Sequence, residues 1–372
     1  MRLRSSTLAL ELAALGCAST VAPRDRDAAP DLPVAPDLPV APDLPVAPDL
    51  PITPDTAFDG DATPSFDCAY RLIVASFTLR SGGYGAGRLV FDPRRRVALL
   101  VSFDTGTVTR IAPETGALSR LTPIRYPNGV ERAEVFVDEA ADTLVVVPLR
   151  APPTQVLTLA LANPDHWETL GVVTSSAPTI PSITAAAYDV AGRALRVTGS
   201  EVTYAARREV WDLRHNGGWG WVRRPDFTTP APVALGAATW DATRNSMLVV
   251  TWTAETTPWV LWSVGDVSTA LTETVPRGVE APLLAYDAAR RVTWSLTSMA
   301  PGATLTAFPA DATGRTRSVA LADPSRALRA TPGPLWVAFD RAGRMLYTYA
   351  DNIAAGLPSI VTAIPVDRCL PR

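Results

Sequence analysis

The chain has 372 residues and a net charge of −3, with 47% hydrophobic residues. That charge balance gives no electrostatic case for a nucleic-acid partner, and no apolar run reaches the roughly 18 residues that span a bilayer. All 34 basic residues are Arg, a bias that a GC-rich coding sequence produces without selection for Arg chemistry.

Residues 1–17 read as an export signal. Arg2 and Arg4 give the positive start, Ser5 to Leu15 a short apolar stretch, and Ala14-Leu15-Gly16-Cys17 a small-residue processing site. This resembles the lipobox of bacterial lipoproteins, from which it departs at Glu11 and in the order of Ala14 and Leu15. The resemblance implies lipidation of Cys17, an exported protein at the periplasm or cell surface, and membrane contact through that anchor only. Residues 18–66 read as a disordered Pro/Ala/Asp-rich stalk. Four tandem copies of Ala-Pro-Asp-Leu-Pro-Val fill residues 29–52, the last ending in Ile52. Two prolines in every six residues remove ladder donors and block helix. The segment is expected to be extended polyproline II, at about 3.1 Å per residue and so roughly 75 Å long.

Residues 67–372 repeat one phrase: a hydrophobic strand ending in an aromatic residue or Val, then Asp, a four-residue turn usually carrying Arg, and a second hydrophobic strand. The Asp positions are Asp92, Asp138, Asp189, Asp241, Asp287 and Asp340, with spacings of 46, 51, 52, 46 and 53. A period near 50 with four strands per unit predicts an all-β fold, a six-bladed β-propeller of four-stranded blades. In the first repeat the strands are Arg88–Asp92, Arg96–Phe103, Val108–Ala112 and Leu118–Thr122. In the third they are Ile183–Asp189, Ala194–Gly199, Glu209–Leu213 and Trp219–Val222.

The third repeat resembles a kelch blade, with Tyr188-Asp189, a run ending at Gly199, Val210-Trp211-Asp212-Leu213 and then Trp219. It lacks the kelch double glycine. The first repeat is closer to the short-turn propellers of bacterial surface proteins. The likeness implies a propeller over residues 80–367; such propellers include enzymes, sugar binders and scaffolds. Ser102-Phe103-Asp104-Thr105-Gly106-Thr107 resembles the start of the Asp box of sialidase-like propellers, which is a turn element.

The sixth repeat has only Trp336–Asp340, Met345–Tyr349 and Ser359–Val366, while Tyr70–Leu79 precedes the first repeat alone. An unpaired edge invites aggregation, so Tyr70–Leu79 is expected to complete the last blade beside residues 359–366. That brings Cys68 next to Cys369. In an oxidising compartment the two would form a disulfide, worth roughly 5 kcal/mol at most on the chain-entropy model.

Each repeated Asp begins a tight turn, where its carboxylate accepts hydrogen bonds from the following amides. The series is therefore structural. Arg94, Arg95, Arg96, Arg193, Arg244, Arg290, Arg291, Arg341 and Arg344 fall on the same face, where pairing with local carboxylates competes with an anion-binding ring. Only His166 and His215 are present, in different repeats and without ligand spacing. No metal or organic cofactor is expected, and no nucleophile elbow or phosphate loop occurs. Seven of the ten tryptophans lie between Trp211 and Trp262, on strands where blade packing takes large side chains; the competing reading is an exposed platform that stacks on sugar rings.

The opposite face carries the longer connections, and function on rigid scaffolds concentrates in such loops. Candidate ligand contacts there are Tyr84, Tyr126, Asn128, Arg132, Tyr204, Arg208, Asp226, Arg277, Glu280, Asp351 and Asn352. Exposed changes among them are expected to cost under about 0.5 kcal/mol. With no catalytic set visible, the sequence reads as a monomeric binding or scaffold module for an unknown protein or glycan. The alternative is a glycan-processing hydrolase or lyase on the loop-rich face.

Overall fold

The computed structural model of the chain describes residues 71–77, 87–103, 105–124, 133–149, 155–173, 183–253, 259–275, 283–299, 302–310, 316–322, 335–340, 342, 344–350 and 359–369. The segment read as an export signal, the proline-rich repeats, Cys17 and Cys68 lie outside them.

Strand β1 (Arg71–Phe77) comes first, and the strands that follow pair in antiparallel quartets. The first is β2 (Gly87–Asp92), β3 (Val97–Ser102), β4 (Val108–Ile111) and β5 (Leu118–Arg120). The second is β6 (Ala133–Asp138), β7 (Thr143–Pro148), β8 (Gln155–Ala160) and β9 (Trp167–Val173). The third comprises β10 (Ile183–Asp189), β11 (Ala194–Gly199), β12 (Ala205–His215) and the first part of β13 (Trp219–Asp241). The rest of β13 opens the fourth, with β14 (Ser246–Trp252), β15 (Trp259–Val264) and β16 (Ser268–Val275). The fifth is β17 (Leu283–Asp287), β18 (Val292–Met299), β19 (Gly302–Pro309) and β20 (Arg317–Ala322). The last holds β21 (Leu335–Asp340), β22 (Met345–Ala350) and β23 (Ser359–Pro365), followed by the short helix α1 (Val366–Cys369).

The last quartet takes its fourth strand from the start of the domain. β1 pairs antiparallel with β23, from Arg71 opposite Ala363 to Phe77 opposite Ser359. The expected pairing of the first strand with the last one therefore holds. α1 was not expected.

The repeated phrase has one backbone solution. Each Asp sits opposite the residue five positions later, Asp92 against Val97 and Asp241 against Ser246, so each turn has four residues. Asp92 Oδ1 accepts from the Arg94 and Arg95 amides at 3.0 and 3.2 Å, and Asp241 Oδ1 from those of Thr243 and Arg244 at 2.8 and 3.1 Å. Asp138, Asp189, Asp287 and Asp340 do the same for their own turns. The fourth turn residue is left-handed every time: Arg96, Asp142, Arg193, Asn245, Arg291 and Arg344 have φ between 48° and 57°. This left-handed residue lets a type I turn rejoin an antiparallel ladder, at a steric cost for any residue with a Cβ.

The core is divided among interfaces between successive quartets. Val101 and Val108 of the first pack with Val135, Leu144 and Leu159 of the second. Val145 and Val156 of the second meet Leu195, Trp211 and Trp221 of the third. Val210 and Phe227 meet Met247 and Val249, and Leu248 and Leu261 meet Leu284 and Phe308. Trp294 and Leu305 pack on Leu346, Ile364 and Val366. Leu89, Leu100 and Ile111 of the first quartet then pack on Tyr347, Tyr349 and Val361 of the last. Apolar packing thus runs from each quartet to the next and back to the start, removing the exposed faces that isolated small sheets would leave.

The fourth strand of the third repeat does not end at Val222 as expected: β13 runs unbroken from Trp219 to Asp241. Its Pro230 and Pro232 fall where the β12–β13 register shifts, between the pairs Ala205–Val233 and Arg207–Thr228. A strand tolerates proline at such irregularities because no ladder donor is lost. β13 also touches β9 in parallel, Trp219 opposite Val172 and Gly220 opposite Val173, so the second, third and fourth quartets form one eleven-stranded sheet.

Candidate functional site

The first strands β2, β6, β10, β17 and β21, with the second half of β13, line one cavity of about 860 Å³. Among the described residues, β2, β6, β10, β17 and β21 each pair along one edge only, with β3, β7, β11, β18 and β22. Their other edges leave main-chain N–H and C=O groups that must find water or a ligand. Much of the side-chain lining is small or apolar, including Ala185, Ala186, Ala187, Ala237, Ala238, Val90 and Val135.

The two ends differ. At the turn end stand Pro93, Glu139, Val190, Ala191, Ala242 and Ala288. Tyr188 also lines this end and stacks on Phe136 with ring centroids 3.7 Å apart. Burial, and then the Asp138 carboxylate, push its phenol well above the usual range, so it stays protonated. At the loop end the strand starts contribute Arg88, Glu134 and Thr184, joined by Leu235, Leu283 and Trp252. Arg88 Nε donates to Glu134 Oε2 at 3.3 Å, and Arg88 Nη1 donates to Gly87 O at 2.9 Å. Both side chains are about a quarter exposed or less, 24% and 21%. Polar side chains from three quartets therefore line this end.

The turn face is tied together by its arginines. Arg95 donates to Asp142 at 2.7 and 2.8 Å, and Arg193 to Asp138 at 3.1 and 2.5 Å, each pair joining neighbouring quartets. Arg94 reaches Glu139 O at 2.6 Å, while Arg244 pairs with Asp241. Arg344 and Arg290 both pair with Asp367 on α1. Local pairing prevails over a free anion ring at these positions; Arg341 lies outside the described residues.

Of the loop-face candidates, Tyr84, Tyr126, Asn128, Arg132, Arg277, Glu280, Asp351 and Asn352 lie outside the described residues. Tyr204 is 46% exposed in the bend before β12 and does not line the cavity. Asp226 lies on β13, paired with Arg207 and Arg223. Arg208 departs furthest from expectation: it lies within β12 and is 1% exposed. Its guanidinium donates to Ser200 Oγ at 2.6 Å, to Thr203 O at 2.8 Å and to Val233 O. Burial holds its pKa below the usual value. It clamps the chain crossing into the fourth quartet and is no exposed contact.

Trp211, Trp219, Trp221, Trp240 and Trp259 are buried, as the packing argument required. Gly106, in the segment resembling an Asp box, has φ +63°, and a Cβ there would lie 2.2 Å from Ile124 O. Phe103 and Thr105 lie in a turn, as read, and Asp104 lies outside the described residues. Among the described residues no group of three His, Cys, Asp or Glu side chains could hold a metal.

The cavity residues Arg88 and Glu134 escaped sequence reasoning, and Trp252 was read mainly as one of the packing tryptophans. They sit on strands, whereas candidates were sought in loops. A charged residue near the start of an otherwise apolar inner strand was the available signal.

No family model and no curated protein matches the sequence. Solved structures do. A gluconolactonase from Xanthomonas campestris aligns over 81% of this chain and 90% of its own, at 13% identity and a TM-score of 0.52. A luciferin-regenerating enzyme aligns over 80% and 95%, at 12% identity and 0.49. The PQQ-bound aldose sugar dehydrogenase of Streptomyces coelicolor aligns over 80% and 97%, at 13% identity and 0.47. The likeness to the gluconolactonase is one of fold: the chain is mostly β and propeller-like.

Proposed function

We propose that the domain is a six-bladed β-propeller that takes a small ligand at the loop-side mouth of its central channel. The observation that carries this reading is the single cavity bordered by the first strand of every quartet, with the Arg88–Glu134 pair at its loop end. A pocket assembled from separate rigid strands holds its polar groups at fixed positions, which is what selective small-molecule binding requires.

The sequence left open a binding module and a sugar-processing enzyme, and the gluconolactonase fold neighbour favours the enzyme over an inert scaffold. Glu134 is the only carboxylate lining the loop end among the described residues. Glycoside hydrolysis uses two carboxyl groups, whereas opening an ester or lactone can use one general base acting on water. In the enzyme reading Glu134 activates that water and Arg88 orients the carboxylate. The test is hydrolysis of a sugar-lactone panel by the full chain, with calorimetric binding in parallel. Glu134→Gln should abolish turnover while leaving the melting temperature in place. Binding and turnover that both survive Glu134→Gln and Arg88→Met would sink the mouth as the site.

Export, lipidation at Cys17 and tethering through the proline-rich stalk complete the proposal, motivated by the signal and repeats in the sequence. So does a Cys68–Cys369 disulfide. β1 begins three residues after Cys68, and Arg71 faces Ala363. α1, at 1.5 Å per residue, carries the chain only a few ångströms further to the buried Cys369.

A further inference from the structure

Trp252 ends β14, opposite Ala234, and lines the cavity at its loop end. It is half-buried and packs against the cluster containing Leu261, Leu284 and Phe308. Trp259 stands 6.0 Å away with its ring tilted 43°. The indole is thus braced from behind while part of it faces the cavity. In a ring of six units, the fourth stands across from the first, so Trp252 confronts the side that carries Arg88. The Arg88–Glu134 pair is neutral as a whole. It offers guanidinium N–H donors and carboxylate acceptors without a net charge to select an anion.

Resting on the mouth reading above, we propose that Trp252 is the specificity-determining platform of this site, and that the ligand is an uncharged, hydroxylated ring of the pyranose class. Such a ring has one face of C–H groups, which stacks on an indole, and a rim of hydroxyls that both donate and accept. Glu134 takes the donated hydrogens and Arg88 the hydroxyl oxygens. An acyclic polyol has the same hydroxyls but no preformed flat face, and pays more conformational entropy on binding. An acid sugar would meet Glu134 as a like charge.

The experiment titrates the full chain with methyl glucoside, methyl galactoside, sorbitol and glucuronate, by calorimetry or saturation-transfer NMR. At least one methyl pyranoside should bind, ahead of both sorbitol and glucuronate. Trp252→Ala should weaken that binding by ~10-fold or more, the scale of a lost aromatic stack, and Trp252→Phe should restore most of it. The Phe variant and thermal melts separate loss of the platform from loss of the fold. Pyranoside binding that falls with Glu134→Gln and not with Trp252→Ala overturns the platform and leaves the mouth intact. Preference for glucuronate or sorbitol overturns the ligand class. Pyranoside binding that neither Glu134→Gln nor Trp252→Ala disturbs overturns the mouth reading itself.

Discussion

Replacing Arg208 by Ala tests the clamp most directly. The side chain is 1% exposed and makes three hydrogen bonds, to Ser200 Oγ, Thr203 O and Val233 O. Among the described residues no carboxylate pairs with it, so each of these bonds joins a charged donor to a neutral acceptor, a type worth about 1.5–3 kcal/mol. Alanine strands these acceptors and removes the packing of the long stem. Against that stands the relief of a desolvated cation, itself several kcal/mol. The balance should be a net loss of about 2–4 kcal/mol, several times the cost of an exposed loop change. Taking the 2–4 °C per kcal/mol of mid-sized domains as a guide, the melting temperature should fall by roughly 5–10 °C. Urea unfolding followed by circular dichroism gives the free energy, and amide exchange at Val233, Ala234 and Leu235 should speed up. A shift under about 1 °C with unchanged exchange would show that Arg208 clamps nothing.

The turn chemistry makes further predictions. Asp241→Ala removes two amide contacts and the Arg244 bond of 2.6 Å from a fully buried carboxylate; it should cost about 2–4 kcal/mol in urea unfolding. Arg291→Gly relieves a non-glycine residue at φ 57° and should raise stability by up to about 1 kcal/mol. Arg95 holds the Asp142 carboxyl below its usual range through a side-chain hydrogen bond. A depressed folded pKa adds stability above the unfolded value, near 4, that is lost as pH falls through the folded pKa. The stability gap between wild type and Asp142→Asn should therefore be largest at neutral pH and close below about pH 4. Thiol labelling of denatured, unreduced protein should leave Cys68 and Cys369 unmodified, and a peptide map should show them joined; labelled thiols at both positions would exclude the bond.

The fold was legible because its phrase is local. An Asp, a four-residue turn and two apolar strands interact within a dozen residues, so composition and spacing specify them. The pairing of β1 with β23 was legible by elimination, since both needed a partner. β13 was not. Pro230 and Pro232 break ladders by rule, and only the register shift of its partner β12 shows why they are tolerated. The site was less legible still. Arg88 and Glu134 are 46 residues apart and meet only because neighbouring first strands line the same channel. Arg208 looked like a loop arginine because its three acceptors lie in segments the sequence could not bring together. α1 is four residues long, too short to show a helical period.

The pairing of β1 with β23 has a mechanical side. Arg71 faces Ala363 and Phe77 faces Ser359, so both ends of the domain leave from the same end of that ladder. Tension applied through the proposed tether would therefore open the ladder as a zipper, one hydrogen bond at a time, the weakest way to load two strands. A covalent link between Cys68 and Cys369 would sit just outside the first bond to fail. It would carry the load in place of the ladder, and a pull transmitted through the proposed stalk would reach the domain without peeling its last quartet.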